Sequence, residues 1–376
     1  MLETGDLTGL SETLSNPFIE EWKRGGGKVI GYPCTYLPEE IIYAAGMLPY
    51  RLRGTGCVGL TIADTFLSRT AHCSFARSVL ELGLTDRYDF LDGVVYTNGC
   101  DHMRRAYDNW KAQPETPGFM YMLPVPHTIT PHGLKWYQEE VVAFKQQLEG
   151  FFHVEINDTN LRQAIEVYNE TRRLLRQLYE LRNEKQPPIT GAETLRIVIA
   201  SVSMPRVKYN ELLAQSLDEI RGRKGISGYR ARLMVVGSAN DDPALIGLIE
   251  ATGGLVVADS LCFGARSFWD LDDETCNPLD SIANRYYYHT PCPRMYGEFP
   301  RRIDFVKDIA TKAGVDGIVL QTIKYCDLHG VENALLERNL EKEGIPTLRL
   351  EREYGPLADT GRIRTRVQAF LERIGR

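Results

Sequence analysis

The 376-residue sequence contains no long run of Lys and Arg, and its formal net charge is −6. Nucleic acids and anionic membranes bind clustered cations, so neither is expected as the main partner. No stretch approaches the roughly 18 to 20 apolar residues of a membrane span. The first residues, MLETGDLTGLSETLSNPF, lack the charged start and apolar core of a secretory signal. These absences predict a cytoplasmic protein.

Several catalytic signatures are also missing. The sequence has no P-loop, so the chain itself is not expected to hydrolyse ATP, and it has neither a His-x-x-x-His pair nor a Gly-x-Ser-x-Gly elbow. Residues 54–59 (GTGCVG) match the G-x-G-x-x-G fingerprint of dinucleotide-binding proteins. No acidic residue is cleanly placed about 20 positions later, as that fingerprint requires. We therefore predict an ordinary glycine-rich turn here.

The eight cysteines include no Cys-x-x-Cys pair, the spacing typical of structural zinc sites. A disulfide framework is not expected in a cytoplasmic chain. The cysteines are therefore expected to bind a metal, to take part in redox chemistry or simply to be buried.

Short apolar runs of about five residues, bounded by turn residues, are the clearest positive pattern. Runs of this kind are typical of parallel strands that are buried on both faces. Helical patterns separate them, and this alternation predicts an α/β protein with doubly wound, Rossmann-like or flavodoxin-like parallel sheets. The predicted strands are residues 28–32, 93–97, 119–125, 232–237, 254–259, 317–322 and 346–350.

The middle of the chain has a different pattern. Residues 160–183 are predicted to form a long amphipathic helix rich in Arg, Leu and Glu, which a Pro-Pro pair ends. Two further helical segments follow. We therefore predict two α/β lobes, residues 1–155 and 226–376, joined by a helical connector over residues 156–225.

Four cysteines come just after predicted strands. In an open α/β sheet, ligands bind outside the carboxyl ends of the strands. Two lobes that face each other across such ends bring all four thiols to one crevice. These cysteines are Cys34, Cys100, Cys262 and Cys326.

Two more cysteines have access to this crevice. Cys73 lies near the start of the predicted helix 70–84, and Cys292 lies in a tight Thr-Pro-Cys-Pro loop. Cys57 and Cys276 have no such placement. Several of these cysteines open a helix, whose free N–H groups and positive partial charge are expected to lower the thiol pKa and stabilise the thiolate that binds metal.

The cysteines also have two simpler interpretations. A free cysteine is often a small buried hydrophobe, and a set of thiols can hold structural zinc. Dispersed thiols on two lobes fit a cluster that bridges the lobes better than they fit a zinc knuckle. The spacing leaves all three alternatives open.

Longer motifs make the sequence resemble a known family. They are GYPCTYLPEEIIYAAGMLPYRL, HCSFARSVLE, NGCDHMRRAYDNW, PPITGAETL, GGLVVADSLCFGARSFWD, PCP, GVDGIVLQTIKYCDLH and TRVQAFLE. Together they span nearly the whole chain and resemble the benzoyl-CoA reductase / 2-hydroxyacyl-CoA dehydratase family. In that family two related subunits pair, and each holds an iron–sulfur cluster between α/β domains. A separate ATP-hydrolysing iron–sulfur activator supplies electrons of very low potential.

The resemblance implies a set of ligands. Cys34, Cys100 and Cys326 match the shared ligands of a [4Fe–4S] cluster, one iron of which has no protein thiolate. One branch of the family, the double-cubane-cluster reductases, holds an [8Fe–9S] unit on six cysteines. The further three of that branch match Cys73, Cys262 and Cys292.

This six-cysteine pattern departs from the dehydratases, which resemble three-cysteine members. It implies an oxidoreductase of anaerobic aromatic degradation, in which this chain is the smaller subunit of a heterodimeric benzoyl-CoA-type reductase and stores or relays electrons. The expected partners are a larger homologous catalytic subunit, the activator and an acyl-CoA at the subunit interface. The alternatives are a 2-hydroxyacyl-CoA dehydratase subunit acting through a ketyl radical, a homodimeric double-cubane reductase and a zinc-stabilised structural protein. No catalytic residue is predicted.

Overall fold

A four-stranded parallel sheet lies in the first part of the chain. The computed structural model describes residues 4–355 and 359–375. The strands are β1 (Val29–Tyr32), β2 (Leu48–Arg51), β3 (Gly93–Thr97) and β4 (Phe119–Leu123). They lie in the order β2-β1-β3-β4. The first three strands are buried along their whole length, whereas β4 at the edge is partly exposed.

Apolar cores lie on both faces of this sheet. Val29 and Val94 pack in one core, and Ile30 and Val95 pack in the other. Successive side chains of a strand point to opposite faces, so a strand that is apolar throughout serves both cores. The helices of this part are α1 (Thr4–Gly9), α2 (Pro17–Arg24), α3 (Glu39–Ala44), α4 (Ala63–Phe66), α5 (Ser74–Leu84), α6 (Asp101–Lys111) and α7 (Pro131–Phe152).

Three helices connect this sheet to the next one: α8 (Asp158–Leu181), α9 (Gly191–Ala200) and α10 (Arg206–Arg221). The side chains of Asn157 and Asn160 form a capping box at the start of α8. The helix packs against α3 on one side and α10 on the other. Within the described ranges, no helix combines the length and the apolar character needed to cross a membrane.

The second sheet repeats the order of the first. Its parallel strands are β5 (Ala231–Gly237), β6 (Gly254–Ser260), β7 (Gly317–Ile323) and β8 (Thr347–Arg352). They lie in the order β6-β5-β7-β8. We call the two sheets with their helices the N-terminal and C-terminal lobes. The helices of the latter are α11 (Ala244–Ala251), α12 (Ala265–Phe268), α13 (Pro278–Tyr288), α14 (Phe299–Lys312), α15 (Asp327–Lys342) and α16 (Thr360–Ile374).

The predicted fold class is confirmed, since two parallel α/β lobes are present. Each predicted strand corresponds to an observed strand whose ends differ by a few residues. Strand β2 contains Pro49, which pairs with Ile30 at the edge of the sheet, and edge strands are where a sheet accepts proline.

Two helices cross the predicted division into lobes. Helix α1 packs against α9 and α10, and its neighbouring residues Leu7 and Leu10 lie in a core of the C-terminal lobe. Helix α13 packs against α7, and Ile282 lies in a core of the N-terminal lobe. The boundaries at residues 155 and 225 therefore stay a prediction about sequence segments, and the packing of the lobes is interleaved.

A buried ion network joins the connector to both lobes. Arg172 of α8 contacts Glu40 of α3 and Asp272, which precedes α13. Its Nη1 also donates to Asn169 Oδ1 at 3.1 Å, and Asn169 Nδ2 donates to the Asp272 carbonyl oxygen at 3.0 Å. The side chain of Arg172 is 4% exposed and both carboxylates are 0% exposed. The charges of these three side chains are therefore balanced by one another and are not solvated by water.

The pKa values of the two carboxylates beside Arg172 are shifted in opposite directions. Burial, reinforced by the charge of Glu40 and opposed by Arg172, raises the pKa of Asp272 to about 6. Glu40 is buried as well, but the combined charges of Arg172 and Arg285 hold its pKa below the ordinary value. Glu40 is thus the more firmly ionised partner of the pair.

Replacing Arg172 tests the network. We expect Arg172→Met to lower the free energy of unfolding by about 3–5 kcal/mol, because it leaves two buried carboxylates without a counter-charge. Arg173→Met is the matched control, since that arginine is 44% exposed and a surface ion pair contributes about 0–1 kcal/mol. Urea unfolding measures both variants. Equal losses would contradict the network.

Asp272→Asn tests the raised pKa. The folded pKa of about 6 exceeds the ordinary value of 3.8, so the contribution of Asp272 to stability is complete below pH 3.8 and is lost as the pH rises through 6. We therefore expect the variant to gain stability relative to the wild type across that range and to level off above it. Urea unfolding at a series of pH values measures this difference. A difference that is independent of pH would show that Asp272 has an ordinary pKa.

Candidate functional site

Cysteines lie in the loops that follow the strands. Cys100 and Cys326 are the N-cap residues of α6 and α15, the helices that come after β3 and β7. Cys73 is the N-cap residue of α5. Cys34 follows β1 and Cys262 follows β6. Cys292 lies in the loop between α13 and α14.

Electrostatic effects and one close contact place these thiols near one another. Burial, reinforced by the thiols of Cys326, Cys34 and Cys292, raises the pKa of Cys100 to about 12. One thiolate affects another in this way only at short range. A Cβ atom on Gly99 would lie 3.5 Å from Cys34 Sγ. The turn before Cys100 therefore packs directly against Cys34.

The remaining predicted cysteines belong to the same group. Burial, together with the thiols of Cys326 and Cys100, raises the pKa of Cys73 well above its ordinary value. Burial also raises the pKa of Cys292, to which the thiol of Cys262 contributes. We call this group the six-thiol site: Cys34, Cys73, Cys100, Cys262, Cys292 and Cys326.

Cys57 and Cys276 are not among the predicted ligands. Cys57 Sγ donates to the Gly59 carbonyl oxygen at 3.1 Å, within the glycine-rich turn, and Cys57 lies in the same apolar core as Cys73. Cys276 is exposed, and its Sγ donates to Asp273 Oδ2 at 3.0 Å. The assignment of the other six cysteines as ligands stays a prediction.

The expected lowering of the thiol pKa values is wrong as a net effect. Backbone N–H groups at the helix starts do oppose the rise, through Met103 at Cys100 and His329 at Cys326. Burial is nevertheless the largest cause for both thiols, because transfer of a thiolate out of water costs more than these few N–H groups recover. The thiolate form therefore requires a bound cation, which deprotonates the thiol it binds.

The six-thiol site does not converge on a single point. In the part of the chain that the structure describes, no three His, Cys, Asp or Glu side chains are grouped closely enough to hold one metal ion. A zinc ion gathers its thiolates at about 2.3 Å, whereas the thiolates of an iron–sulfur cluster bind separate irons. The spread of these soft ligands fits a multinuclear cluster. Arg51 Nε and Arg266 Nε, which are buried nearby without a partner, also fit donors to cluster sulfur.

Buried arginines hold the backbone around the thiols. Arg51 Nη1 donates to the carbonyl oxygen of Cys262, and Arg294 Nε donates to that of Gly99 at 3.3 Å. The two arginines are 2% and 4% exposed. Sequence reasoning missed both, since each is recognisable only from the loop that it reaches across the fold.

His102 links three of the thiol-bearing segments. Its Nδ1 accepts a hydrogen bond from the Cys73 N–H at 3.3 Å, so the ring proton is on Nε2. That nitrogen lies 3.4 Å from Asp327 Oδ2. Burial lowers the pKa of His102, although Asp327 opposes this shift. The neutral ring thus connects the starts of α5, α6 and α15.

The glycine-rich turn contacts the other lobe. The Gly54 N–H donates to Asp241 Oδ2 at 3.1 Å, and the Tyr354 hydroxyl donates to the same carboxylate at 2.6 Å. A Cβ atom on Gly54 would lie 2.2 Å from the Tyr354 ring. The close approach that this glycine allows is therefore to Tyr354. No sequence pattern marks Asp241 or Tyr354, because their role depends on a contact between lobes.

An open cleft of about 950 Å³ lies beside the six-thiol site. Its walls include Ser74 and Tyr325, which adjoin Cys73 and Cys326 in sequence, and the cationic side chains of Arg69 and Lys324. Ligand pockets commonly measure about 300–1,000 Å³. The cleft is therefore large enough for a small-molecule ligand.

The chain matches a known family over most of its length. The model of the family described as 2-hydroxyglutaryl-CoA dehydratase, D-component, matches residues 34–374. The chain belongs to this family. The matched region begins at Cys34 and contains the whole six-thiol site, and the predicted resemblance is confirmed.

Relatives of the dehydratase D-component family cover nearly the whole chain. The (R)-phenyllactyl-CoA dehydratase beta subunit of Clostridium sporogenes is 25% identical over 98% of this chain and 97% of its own. A benzoyl-CoA reductase subunit of Thauera aromatica is 27% identical over 90% of this chain and 89% of its own. The (R)-2-hydroxyglutaryl-CoA dehydratase beta subunit of Acidaminococcus fermentans is 25% identical over 94% of each. The relatives thus include dehydratases and a reductase of CoA esters.

The contact of the glycine-rich turn is testable by substitution. We expect Gly54→Ala to lower the free energy of unfolding by about 1–3 kcal/mol, because the added methyl group overlaps the Tyr354 ring. Gly59→Ala is the matched control, since its nearest neighbour, Thr61 Oγ1, lies 4.0 Å from the added atom. Denaturant unfolding measures both. The contact is refuted if the two variants are equally stable.

Proposed function

We propose that this chain is the iron–sulfur subunit of a cytoplasmic, ATP-dependent reductase of aromatic acyl-CoA esters. In this role it stores or relays electrons of very low potential from an ATP-hydrolysing activator to the acyl-CoA site. The observation that carries the proposal is that thiols of the two lobes neighbour one another, Cys73 and Cys100 with Cys326, and Cys34 with Cys292. The family supports an enzyme that acts on CoA esters, and the subunit names of the relatives support a partner subunit, which we propose is larger and homologous.

The six cysteines have the chemistry of cluster ligands. Thiolates are the usual ligands of iron–sulfur clusters. Five of the six cysteines lie after strands or at helix starts, and Cys292 lies in the loop between α13 and α14. Cys34, Cys100 and Cys326 are proposed as the shared ligands, with the other three completing a double-cubane site. A bound cluster would supply one-electron transfer at low potential. The chain's own part is to hold the thiols, to exclude water by burial and to set the surrounding charge.

The cleft beside the six-thiol site is the path by which we propose that the substrate approaches the cluster. It runs along residues next to Cys73 and Cys326, which places a bound molecule near the proposed cluster. Its wall carries both signs of charge, and Arg69 Nε lies 3.4 Å from Asp64 Oδ2. Lys324 is the wall cation that we propose for a phosphate of coenzyme A. We therefore propose that an acyl-CoA, or the part of the partner subunit that presents it, approaches from this side.

A 2-hydroxyacyl-CoA dehydratase subunit is the second candidate. It is favoured by the family description and by the dehydratase names of two of the relatives given above. On this alternative, Cys34, Cys100 and Cys326 hold a [4Fe–4S] cluster, and Cys73, Cys262 and Cys292 are ordinary buried thiols. The two candidates therefore differ in how many cysteines the cluster needs.

Metal analysis of protein purified without oxygen separates the candidates. We expect about eight irons per chain with matching acid-labile sulfide for the double-cubane site, and an EPR signal after reduction. About four irons per chain would favour the dehydratase candidate. Zinc without sulfide would refute the proposed electron-transfer role.

Single Cys→Ser substitutions assign the ligands. We expect Cys326→Ser to abolish cluster assembly, because Cys326 is proposed as a shared ligand. Cys57→Ser is the matched control, since Cys57 is outside the proposed ligand set and its thiol bonds to the Gly59 carbonyl oxygen. Cys262→Ser is expected to remove part of the iron from a double-cubane site and none from a single cubane. Equal iron in Cys326→Ser and Cys57→Ser would overturn the assignment.

A further inference from the structure

Arg266 is a buried cation with almost no partners. It lies in α12, four positions after Cys262, and is 5% exposed. Its Nη2 donates to the Gly237 carbonyl oxygen at 3.1 Å, and its Nε has no hydrogen-bond partner. Among the residues that the structure describes, no carboxylate lies within 4.0 Å of its guanidinium nitrogens, the limit for an ion pair. A guanidinium has five N–H donors, so most of its bonding capacity is unused.

Two other buried arginines near the thiols, Arg294 and Arg302, have several partners, whereas Arg51 Nε, like Arg266 Nε, has none. Arg302 forms an ion pair with Glu332 through Nε at 2.5 Å. Arg294 donates to the carbonyl oxygens of Pro126 at 3.0 Å and Val125 at 2.9 Å, besides Gly99. A buried charge is costly unless an opposite charge or several hydrogen bonds compensate it. Arg266 therefore has neither the counter-charge of Arg302 nor the set of carbonyl partners of Arg294.

The surroundings of Arg266 indicate where that counter-charge belongs. Arg266 lines a small cavity of about 20 Å³ whose walls come from the segments that carry three of the thiols. Such a volume has room for about one water molecule, and a neutral water brings no charge. The wall residues beside Arg266 are Ser260 near Cys262, Thr290, Pro291 and Pro293 around Cys292, and His329 after Cys326.

The electrostatics agree with this position. Arg266 faces the loop of Cys292, because Thr290, Pro291 and Pro293 line the same cavity as Arg266. His329, which lines the same cavity, has its pKa lowered well below the ordinary value by burial, so it is neutral and supplies no negative charge. Glu332 in that wall is already paired with Arg302. Asp270 accepts hydrogen bonds from Thr290 of that wall but forms no ion pair with Arg266. The thiols of this region become negative on binding metal.

We infer that Arg266 is the counter-charge and N–H donor for the metal-bound thiolates of Cys262, Cys292 and Cys326. This inference rests on the proposed function, because it requires a thiolate-bound cluster. Arg266 is then a positioning residue that holds the C-terminal side of the site. A fixed positive charge favours the more negative, reduced state, so Arg266 raises the reduction potential of the bound cluster.

The reduction potential of the holoprotein tests the inference. In an EPR-monitored redox titration without oxygen, we expect Arg266→Gln to shift the equilibrium at least tenfold towards the oxidised cluster, which is about 59 mV for a one-electron couple. Arg266→Lys keeps the charge and is expected to retain most of the wild-type potential. Cluster loading by the Lys variant but not by the Gln variant would also support the inference. A Gln variant that titrates at the wild-type potential would overturn it.

The thermal stability of the full chain after iron removal tests whether Arg266 balances the charge of the thiolates or supports the fold. We expect Arg266→Gln without metal to unfold at no lower temperature than the wild type, because it removes an uncompensated buried charge. Arg294→Gln is the control and is expected to unfold at a lower temperature, because it leaves several carbonyl oxygens unpaired. Equal destabilisation of the two variants would make Arg266 a structural residue. If wild-type protein purified without oxygen contained neither iron nor sulfide, the proposed function would be refuted. If Arg266→Gln held a cluster whose reduction potential equalled that of the wild type, only the role of Arg266 would be refuted.

Discussion

Two parallel sheets meet at the carboxyl ends of their strands, and the six-thiol site exists only because of this contact. Parallel pairing places every strand-to-helix loop of a sheet at one edge. Thiols that are distant in sequence therefore become neighbours once the two edges meet. Asp241 closes this contact by accepting hydrogen bonds from Gly54 and Tyr354. Arg172 and its two carboxylates hold the connector against both sides.

The parts of the fold that depend on local patterns were predictable from the sequence. An apolar run specifies a buried strand, and the residue after it lies at the edge where ligands bind, so the positions of Cys100 and Cys326 followed. Contacts between distant segments were not predictable. The packing of α13 on α7 and the carboxylate of Asp241 have no local signal. The net rise of the thiol pKa values also depends on depth of burial, which only the tertiary structure gives. The ligand roles of the six cysteines stay a prediction.

The raised pKa values of Cys73, Cys100, Cys292 and Cys326 reconcile burial with the proposed metal binding. Neighbouring thiolates in a buried site would repel one another strongly, whereas protonated thiols behave as small apolar side chains. The fold can therefore form with these four thiols neutral. Metal binding then exchanges thiol protons for cations, so loading releases protons and becomes easier as the pH rises. The arginines around the site add positive charge that favours the same exchange.

The interleaved packing of the lobes has a consequence for biosynthesis. The six thiols come from positions that span the chain from Cys34 to Cys326. In addition, α13, which is translated late, completes a core of the N-terminal lobe. A nascent chain on the ribosome therefore presents neither a finished N-terminal lobe nor a complete set of thiols until most of its length has emerged. Insertion of the proposed cluster would accordingly come late, once the segment that carries Cys326 has emerged.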